Sequence, residues 1–156
     1  MSEVIIAQAS SAEHIGAARA LFTEYEREIN VDLCFQGFAD ELRDLPGKYA
    51  PPDGALLLAF EAQHAVACVA MRRLTDNIAE LKRLYIQPAY RHLGLGRKLT
   101  QQIISAASVA GYAEMVLDTL SHMNAAQALY RSLGFVQTQA YYNNPLPGVL
   151  YFHKQL

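Results

Sequence analysis

Residues 90–99 read YRHLGLGRKL and combine two closely spaced glycines with basic side chains at the start of a helical pattern. The first turn of a helix leaves backbone N–H groups without internal acceptors and carries about half a positive charge. Glycine lets an anion approach this backbone closely. The stretch therefore predicts a phosphate-binding turn, to which Arg91, Arg97 and Lys98 add positive charge.

Two common phosphate-binding motifs do not match this turn. A Walker loop requires Gly-Lys-Ser/Thr, whereas Gly96 is followed by Arg97 and Lys98. The dinucleotide fingerprint requires a third glycine where Leu99 stands, and it requires an early strand-helix-strand unit. A different phosphate-containing ligand is therefore expected.

Composition limits the class of protein. A chain of 156 residues with 52% hydrophobic and 18% charged residues fits one globular domain, residues 1–156. A net charge of -2 without blocks of like charge predicts neither a nucleic-acid partner nor a membrane surface. Apolar runs are short and no signal peptide is evident at the start, so we expect a cytoplasmic protein. The five histidines lack metal-ligand spacing, and no metal site is predicted.

Hydrophobic periodicity and turn residues predict seven strands and four helices around one sheet, an α+β or mixed α/β fold. A capping box at Ser10 and Glu13 starts the first helix. The predicted strands are 4–7, 55–60, 65–72, 78–86, 115–118, 135–142 and 149–153, and the later helices are 35–45, 95–111 and 124–133.

The fourth strand has uneven apolar parity. Leu81 lies at an odd position, whereas Leu84 and Ile86 lie at even ones. Because side chains alternate between the two faces of a strand, the inward face must change between Leu81 and Leu84. One extra residue, a β-bulge, would produce this change. A surface patch at Lys82 and Arg83 is the alternative.

The stretch Arg91-His92-Leu93-Gly94-Leu95-Gly96 resembles the acyl-CoA signature of the GNAT superfamily of N-acetyltransferases. ELKRLYIQPAYR before it resembles that family's fourth strand, and NAAQALYRSLGF after it resembles the family's fourth helix. The resemblance implies a mostly antiparallel mixed sheet of about seven strands, splayed between the fourth and fifth, with about four helices. It also implies acetyl-CoA as co-substrate and direct transfer of the acetyl group to a primary amine.

The resemblance assigns coenzyme contacts to three segments. The turn from Arg91 to Arg97 would hold the pyrophosphate, and the main chain of the bulged strand would receive the pantetheine arm and the thioester oxygen. Asn124 would contact the coenzyme, cap its helix, or do both. The residues implied are Leu84, Tyr85, Ile86, Arg91, His92, Leu93, Gly94, Leu95, Gly96, Arg97, Asn124 and Tyr130.

Two residues match catalytic positions of the family. Tyr130 is the expected general acid for the coenzyme thiolate, because a phenol with an ordinary pKa near 10 is protonated at neutral pH. It also lies on the apolar face of its helix, where core packing is the alternative. Glu80 is the candidate base, acting directly or through water, and a solvated residue at a strand end is the alternative. Cys34 and Cys68 are expected to be buried free thiols, and a nucleophilic role or a disulfide is the alternative.

The acceptor is expected to be a small-molecule amine that contacts Arg83, Tyr49 and Tyr141. Arg72 and Arg73 could also pair with a carboxylate or phosphate of the acceptor, and Tyr142 could also wall the acceptor site. A protein or peptide N-acetyltransferase and a non-catalytic acyl-CoA-binding domain are the alternatives. For the oligomeric state, a homodimer is compatible with the sequence.

Overall fold

A computed structural model describes residues 3–156, which form a seven-stranded sheet with helices on both faces. Of its helices, none combines the length and hydropathy needed to cross a membrane. The strands are β1 Val4–Gln8, β2 Ala55–Glu61, β3 His64–Arg73, β4 Ile78–Ile86, β5 Glu114–Leu120, β6 Val136–Thr138 and β7 Val149–Gln155. The α-helices are α1 Ala12–Ile29, α2 Phe38–Asp44, α3 Leu95–Val109 and α4 Asn124–Ser132.

The strand order is β1-β2-β3-β4-β5-β7-β6, and β4 and β5 run parallel at its centre. These two strands pair only from Ile78 to Glu80 on β4 and from Glu114 to Val116 on β5. Beyond Glu80 they separate, so the second half of β4 has a free edge on the β5 side. The predicted mixed sheet and its splay between the fourth and fifth strands are confirmed.

The predicted irregularity in β4 is a β-bulge. The register against β3 shifts between Cys68 and Ala70, and Arg83 takes a left-handed conformation with φ of 62°. Leu81 and Leu84 consequently contact the same core layer despite their opposite parity. The bulge turns Arg83 toward α2 on the other face of the sheet, where it meets Glu41.

Two core layers hold the helices against the sheet. The first lies under α3 and α4 and includes Leu99, Ile103 and Phe152, all fully buried. The second lies under α1 and α2 and includes Phe22 and Leu58. Burial of these side chains fixes the start of α3 and the start of α4 on the same side of the sheet.

Four local predictions differ from the structure. Cys34, expected to be buried, is exposed at the surface before α2, whereas Cys68 is buried. The first helix is capped by Ser11, whose side chain accepts from the His14 N–H, instead of by Ser10. The predicted helix 35–45 is divided by Gly37, which has φ of 70°, into a short 3₁₀ turn and α2. The predicted strand 135–142 ends at Thr138, because the chain then leaves the sheet edge and carries its tyrosines toward β4 and β5.

Candidate active site

A cavity of about 640 Å³ runs along the free edge of β4 to the first turns of α3 and α4. We call it the helix-end groove. Leu93 does not line it and is 42% exposed on the turn before α3. The other predicted coenzyme contacts, apart from Tyr130, do line it: Leu84, Tyr85, Ile86, Arg91, His92, Gly94, Leu95, Gly96, Arg97 and Asn124.

The first turn of α3 presents free backbone N–H groups to the groove. Gly94 precedes the helix with φ of 77°, and the first helical hydrogen bond runs from the Lys98 N–H to the Gly94 carbonyl over 3.1 Å. Within residues 3–156 the N–H groups of Leu95, Gly96 and Arg97 therefore have no backbone acceptor. Together with the helix dipole they attract a negative charge.

The first turn of α4 faces the same groove. Met123 precedes the helix and makes no side-chain capping bond, and the first helical hydrogen bond runs from the Gln127 N–H to the Met123 carbonyl over 3.1 Å. Asn124 is the first helical residue, so its side chain lines the groove without capping the helix. Two helix N-termini thus converge on one cavity, which suits an extended anionic ligand.

The basic side chains of the turn are partly engaged with protein groups. The Arg91 guanidinium binds Glu28 at 2.6 Å and the Ile86 carbonyl at 2.9 Å. Arg97 donates to the Ser132 hydroxyl at 2.8 Å. Exposed, partly paired side chains contribute less to anion binding than fixed backbone dipoles. The free N–H groups are therefore the strongest positive electrostatic feature of the groove.

A smaller cavity of about 50 Å³, the splay cavity, lies between the separating β4 and β5 and shares Leu84 and Ala126 with the helix-end groove. Leu84 and Ile86 pack into the core under α3. Tyr85 points to the opposite face, where its hydroxyl donates to Glu24 at 3.3 Å. Burial, with the charge of Glu24 second, raises the pKa of Tyr85 to about 12.

Tyr130 reaches the splay cavity from α4. Its ring packs against Phe135 and Phe152, with centroids 5.7 and 6.4 Å away, and the residue is 5% exposed. Within residues 3–156 its hydroxyl makes no hydrogen bond, so the proton is not committed to a protein acceptor. Burial raises the pKa of Tyr130 above its usual range. The ring of Tyr130 therefore packs in the core, while its hydroxyl proton stays available for donation.

On the α2 face of the sheet lies a third cavity of about 220 Å³, the α2 pocket. Gln36 and Lys82 line both this pocket and the splay cavity, so the two are adjacent. The pocket is rich in charged and aromatic side chains, and its lining residues are Phe35, Gln36, Glu41, Lys48, Tyr49, Arg72, Leu74, Glu80, Lys82 and Tyr142.

Glu80 lies in the α2 pocket and is 1% exposed, so it is not a solvated residue at a strand end. One carboxylate oxygen accepts from the Arg72 Nε at 2.8 Å, and the other accepts from the Tyr141 hydroxyl at 2.5 Å. Burial, and then the charge of Glu80, raises the pKa of Tyr141. The Tyr141 phenol therefore stays protonated and holds the carboxylate in place.

The arginines singled out from the sequence are bound to carboxylates. Arg83 donates from two nitrogens to Glu41 at 2.8 and 2.9 Å, and its guanidinium lies over the Phe38 ring. Arg73 binds Asp53 at 2.9 Å in a solvent-exposed ion pair. Tyr49 is buried beside the Arg83 pair, and burial raises its pKa.

The sequence reasoning missed two ionisable residues at the splay. Lys82 donates to the Gln36 Oε1 at 3.0 Å, and burial, followed by the charge of Arg83, lowers its pKa. Asp118, on β5, accepts from the hydroxyl of Tyr142 and from the Asn144 side chain. A charged residue within an apolar run of a buried strand, as in KRLYI and MVLDTL, is the signal that could have found both.

The predicted residues therefore form two groups. Coenzyme candidates lie in the helix-end groove, and Glu80, Tyr141, Tyr49 and Arg83 lie on the α2 side. Tyr130 stands between them at the splay cavity. The arrangement allows an anionic ligand in the groove to extend along β4 toward a second small molecule held near α2.

The chain was compared with known protein families and sequences. The model of the acetyltransferase (GNAT) family matches residues 15–135. An uncharacterised N-acetyltransferase of Schizosaccharomyces pombe is 38% identical over 157 aligned residues, which cover 99% of this chain and 96% of the relative. An N-acetylaspartate synthetase of Danio rerio is 28% identical. The alignment covers 80% of this chain and 45% of that relative.

Solved structures share the fold. The PaiA N-acetyltransferase of Thermoplasma acidophilum, solved in complex with coenzyme A, superposes with a TM-score of 0.75 at 17% identity. The superposition covers 99% of both chains, so the whole arrangement of sheet and helices is common to the two proteins.

Proposed function

The chain belongs to the GNAT family of acetyltransferases, and on this premise we propose that it transfers the acetyl group of acetyl-CoA directly to the primary amine of a small molecule. The observation that carries the proposal is the convergence of two uncapped helix N-termini on a groove beside the free edge of β4. The groove offers backbone donors to a pyrophosphate at one end and to an amide-containing arm along the strand.

The residues of the groove fit the coenzyme. A Cβ atom added at Gly96 would come within 3.3 Å of the Leu129 side chain and 3.5 Å of Ile86, so a glycine here allows α3 to lie close to α4 and β4. The N–H groups of Leu95, Gly96 and Arg97 would hold the pyrophosphate, and Leu84 and Ile86 would receive the pantetheine arm along the free edge. When bound, acetyl-CoA supplies an acetyl group activated as a thioester.

Protein groups around the splay cavity have complementary roles. Tyr130 holds a proton that it would donate to the departing sulfur. A backbone N–H of the bulged strand would donate to the thioester oxygen and stabilise its developing charge. Glu80 would accept the proton of the amine, directly or through a water molecule. Burial of Tyr130, and with it the raised pKa, keeps the acid in its protonated form.

A small acceptor suits the dimensions of the α2 side. The α2 pocket measures about 220 Å³ and is bounded by the buried Tyr49 and by Tyr142, whose hydroxyl binds Asp118. Such a pocket accommodates a small metabolite more readily than a folded protein segment. The Danio rerio relative is named for a small acetylated product, which supports the same class of acceptor.

Thermal unfolding with acetyl-CoA, NAD and ATP in parallel tests the donor site. A ligand at a hundred times its dissociation constant stabilises by about 2.7 kcal/mol, which raises the midpoint by several degrees in a domain of this size. We expect a shift with acetyl-CoA that is lost in Gly94→Glu, because a carboxylate would then occupy the anion site. Gly111→Glu is the matched control, since both glycines have positive φ with open space around them and they flank opposite ends of α3.

Loss of the shift in Gly94→Glu with retention in Gly111→Glu would support the donor site, and no shift in the wild-type protein would contradict it. Release of free thiol in the presence of amines then separates an enzyme from a non-catalytic acyl-CoA-binding domain. Release with small amines supports the proposal, whereas release with peptides alone would favour a peptide N-acetyltransferase.

A further inference from the structure

Lys82 is a buried cation at the junction of the splay cavity and the α2 pocket. Its side chain is 10% exposed, and its ammonium donates to one uncharged acceptor, the Gln36 Oε1, at 3.0 Å. An ammonium carries three donors. The closest carboxylate oxygen within residues 3–156 belongs to Glu80 and lies 4.0 Å away.

Neighbouring carboxylates lie closer to other donors, and within residues 3–156 none accepts a hydrogen bond from Lys82. Glu80 binds Arg72 and Tyr141, with one oxygen for each. Glu41 binds both donor nitrogens of Arg83. Arg72 and Arg83 are therefore paired cations, whereas Lys82 retains donors that face the adjoining cavities. A buried charge without a close counter-ion is costly unless a ligand supplies one.

Asp118 provides the opposite charge in the same cavity. It lies on β5 across the splay from Lys82 and lines the splay cavity with it. Its side chain accepts hydrogen bonds from Tyr142 and Asn144, both uncharged. No cation of residues 3–156 forms an ion pair with it. The splay cavity therefore presents one carboxylate and one ammonium, held apart on two separating strands.

From this pair of charges we propose that the acceptor is a small amino acid, whose amino group is bound by Asp118 and whose carboxylate is bound by Lys82. The inference rests on the proposed function and specifies its acceptor class. The rest of the acceptor extends into the α2 pocket, which shares its lining residues Gln36 and Lys82 with the splay cavity. Asp118 attracts the protonated amine to the splay, and Lys82 fixes the orientation of the molecule through a charge-assisted hydrogen bond.

The test compares acceptors that differ only in the carboxylate. Acetylation is measured by thiol release for a panel of amino acids, the corresponding amino acid amides and the corresponding decarboxylated amines. Wild-type enzyme should show a kcat/KM at least tenfold higher for amino acids than for the matched amines. Lys82→Met should lower kcat/KM for amino acids by roughly tenfold to a hundredfold, mainly through KM, because a hydrogen bond to a charged group is lost.

Three further variants sharpen the result. Lys82→Met should lower kcat/KM for amines much less than for amino acids, whereas Asp118→Asn should lower it for amines and amino acids alike. Lys82→Arg should restore part of the preference, because it retains the cation. Lys154→Met, on β7 away from the three cavities, is the control for removal of a lysine charge. Retention of the acetyl-CoA thermal shift in each variant establishes that it is folded.

Equal kcat/KM for amino acids and amines in the wild-type enzyme would overturn the inference and leave the proposed function standing. An undiminished preference in Lys82→Met would also overturn it. The wild-type panel decides the question even if Lys82→Met does not fold. No thiol release with any acceptor would instead overturn the proposed function, and the inference would fall with it.

Discussion

At the scale of single residues, Tyr130 combines a fully packed ring with a hydroxyl that makes no hydrogen bond within the described part of the chain. We expect Tyr130→Phe to reduce turnover by roughly a hundredfold, the lower end for loss of a general acid. Binding of acetyl-CoA should survive, as judged by the thermal shift. The defect should shrink as the pH rises from 7 to 9, because a thiolate leaves without a proton above the pKa of a thiol, about 8.5.

Tyr112→Phe is the matched control for this prediction. Its buried hydroxyl donates to the Asp53 carbonyl at 2.7 Å, away from the three cavities. Its removal should cost about 1 kcal/mol of unfolding free energy and leave turnover unchanged. Unchanged turnover in Tyr130→Phe would remove this phenol from the mechanism and leave it as a core residue.

Residue-level reasoning from sequence found the main-chain sites more readily than the charged ones. Gly94 and Gly96 are recognisable from the local sequence. A positive φ favours glycine at Gly94, and the close approach of the Leu129 side chain favours it at Gly96. The environments of Lys82 and Glu80 depend on partners 46 and 8 residues away, Gln36 and Arg72. The spacing of residues along one strand contains no record of these contacts, so the hydrogen-bond partners of the two side chains could not be foreseen.

At the scale of secondary-structure elements, the start of α4 offers a test that separates two roles of Asn124, capping of the helix and contact with the ligand. Asn124 follows the N-cap position, which Met123 occupies, so its side chain does not stabilise the helix end. Asn124→Ala should therefore change the unfolding free energy by less than about 0.5 kcal/mol. It should weaken acetyl-CoA binding by roughly threefold to tenfold, the value of one hydrogen bond. Chemical denaturation and calorimetric titration measure the two effects.

Gln127→Ala is the control in the same helix, because it should lower the stability of the fold. The Gln127 amide donates to the Leu120 and Ser121 carbonyls at 2.9 and 3.1 Å and anchors α4 to the end of β5. Its loss should destabilise the fold by about 1–3 kcal/mol, because buried carbonyls lose their partners. A similar destabilisation in Asn124→Ala would show that Asn124 supports the helix instead of the ligand.

The order of the elements and the bulge were predictable because both are reflected in the periodic pattern of apolar residues along the sequence. A parity change from Leu81 to Leu84 requires an extra residue in the strand, and Arg83 supplies it. The end of β6 was not predictable, because Tyr141 and Tyr142 continue an acceptable strand pattern. Their hydroxyls bind Glu80 and Asp118 instead, and these tertiary contacts draw the segment out of the ladder.

At the scale of the whole molecule, several phenols around the splay cavity and the α2 pocket are withdrawn from water, and this should make the fold sensitive to alkali. Burial is the largest cause of a raised pKa for seven tyrosines, and five of these line or adjoin the splay cavity and the α2 pocket: Tyr25, Tyr49, Tyr130, Tyr141 and Tyr142. In the unfolded chain each phenol has a pKa near 10. Above pH 10 the unfolded state therefore loses protons that the folded state keeps, and the folded state is disfavoured.

The free energy of unfolding should accordingly be insensitive to these groups below about pH 9 and fall steeply above pH 10. Each phenol contributes up to about 1.4 kcal/mol per pH unit while its unfolded form is ionised and its folded form is not. Burial raises the pKa of the Cys68 thiol as well, which acts in the same direction from a slightly lower pH. Lys82 opposes the trend, because its lowered pKa favours the folded state as the pH rises, but it is a single group against several phenols and a thiol.

Denaturant unfolding from pH 8 to 11, followed together with tyrosinate absorbance, measures this dependence. Ionisation of the five phenols should coincide with loss of structure, and Tyr130→Phe should reduce the slope by the equivalent of one proton. Titration of all nine tyrosines near pH 10 in a protein that stays folded would contradict the argument. It would mean that water reaches the phenols through the splay, because solvated phenols would ionise without unfolding. If ionisation and loss of structure coincide instead, the phenols beside the opening between β4 and β5 set the alkaline limit of the fold.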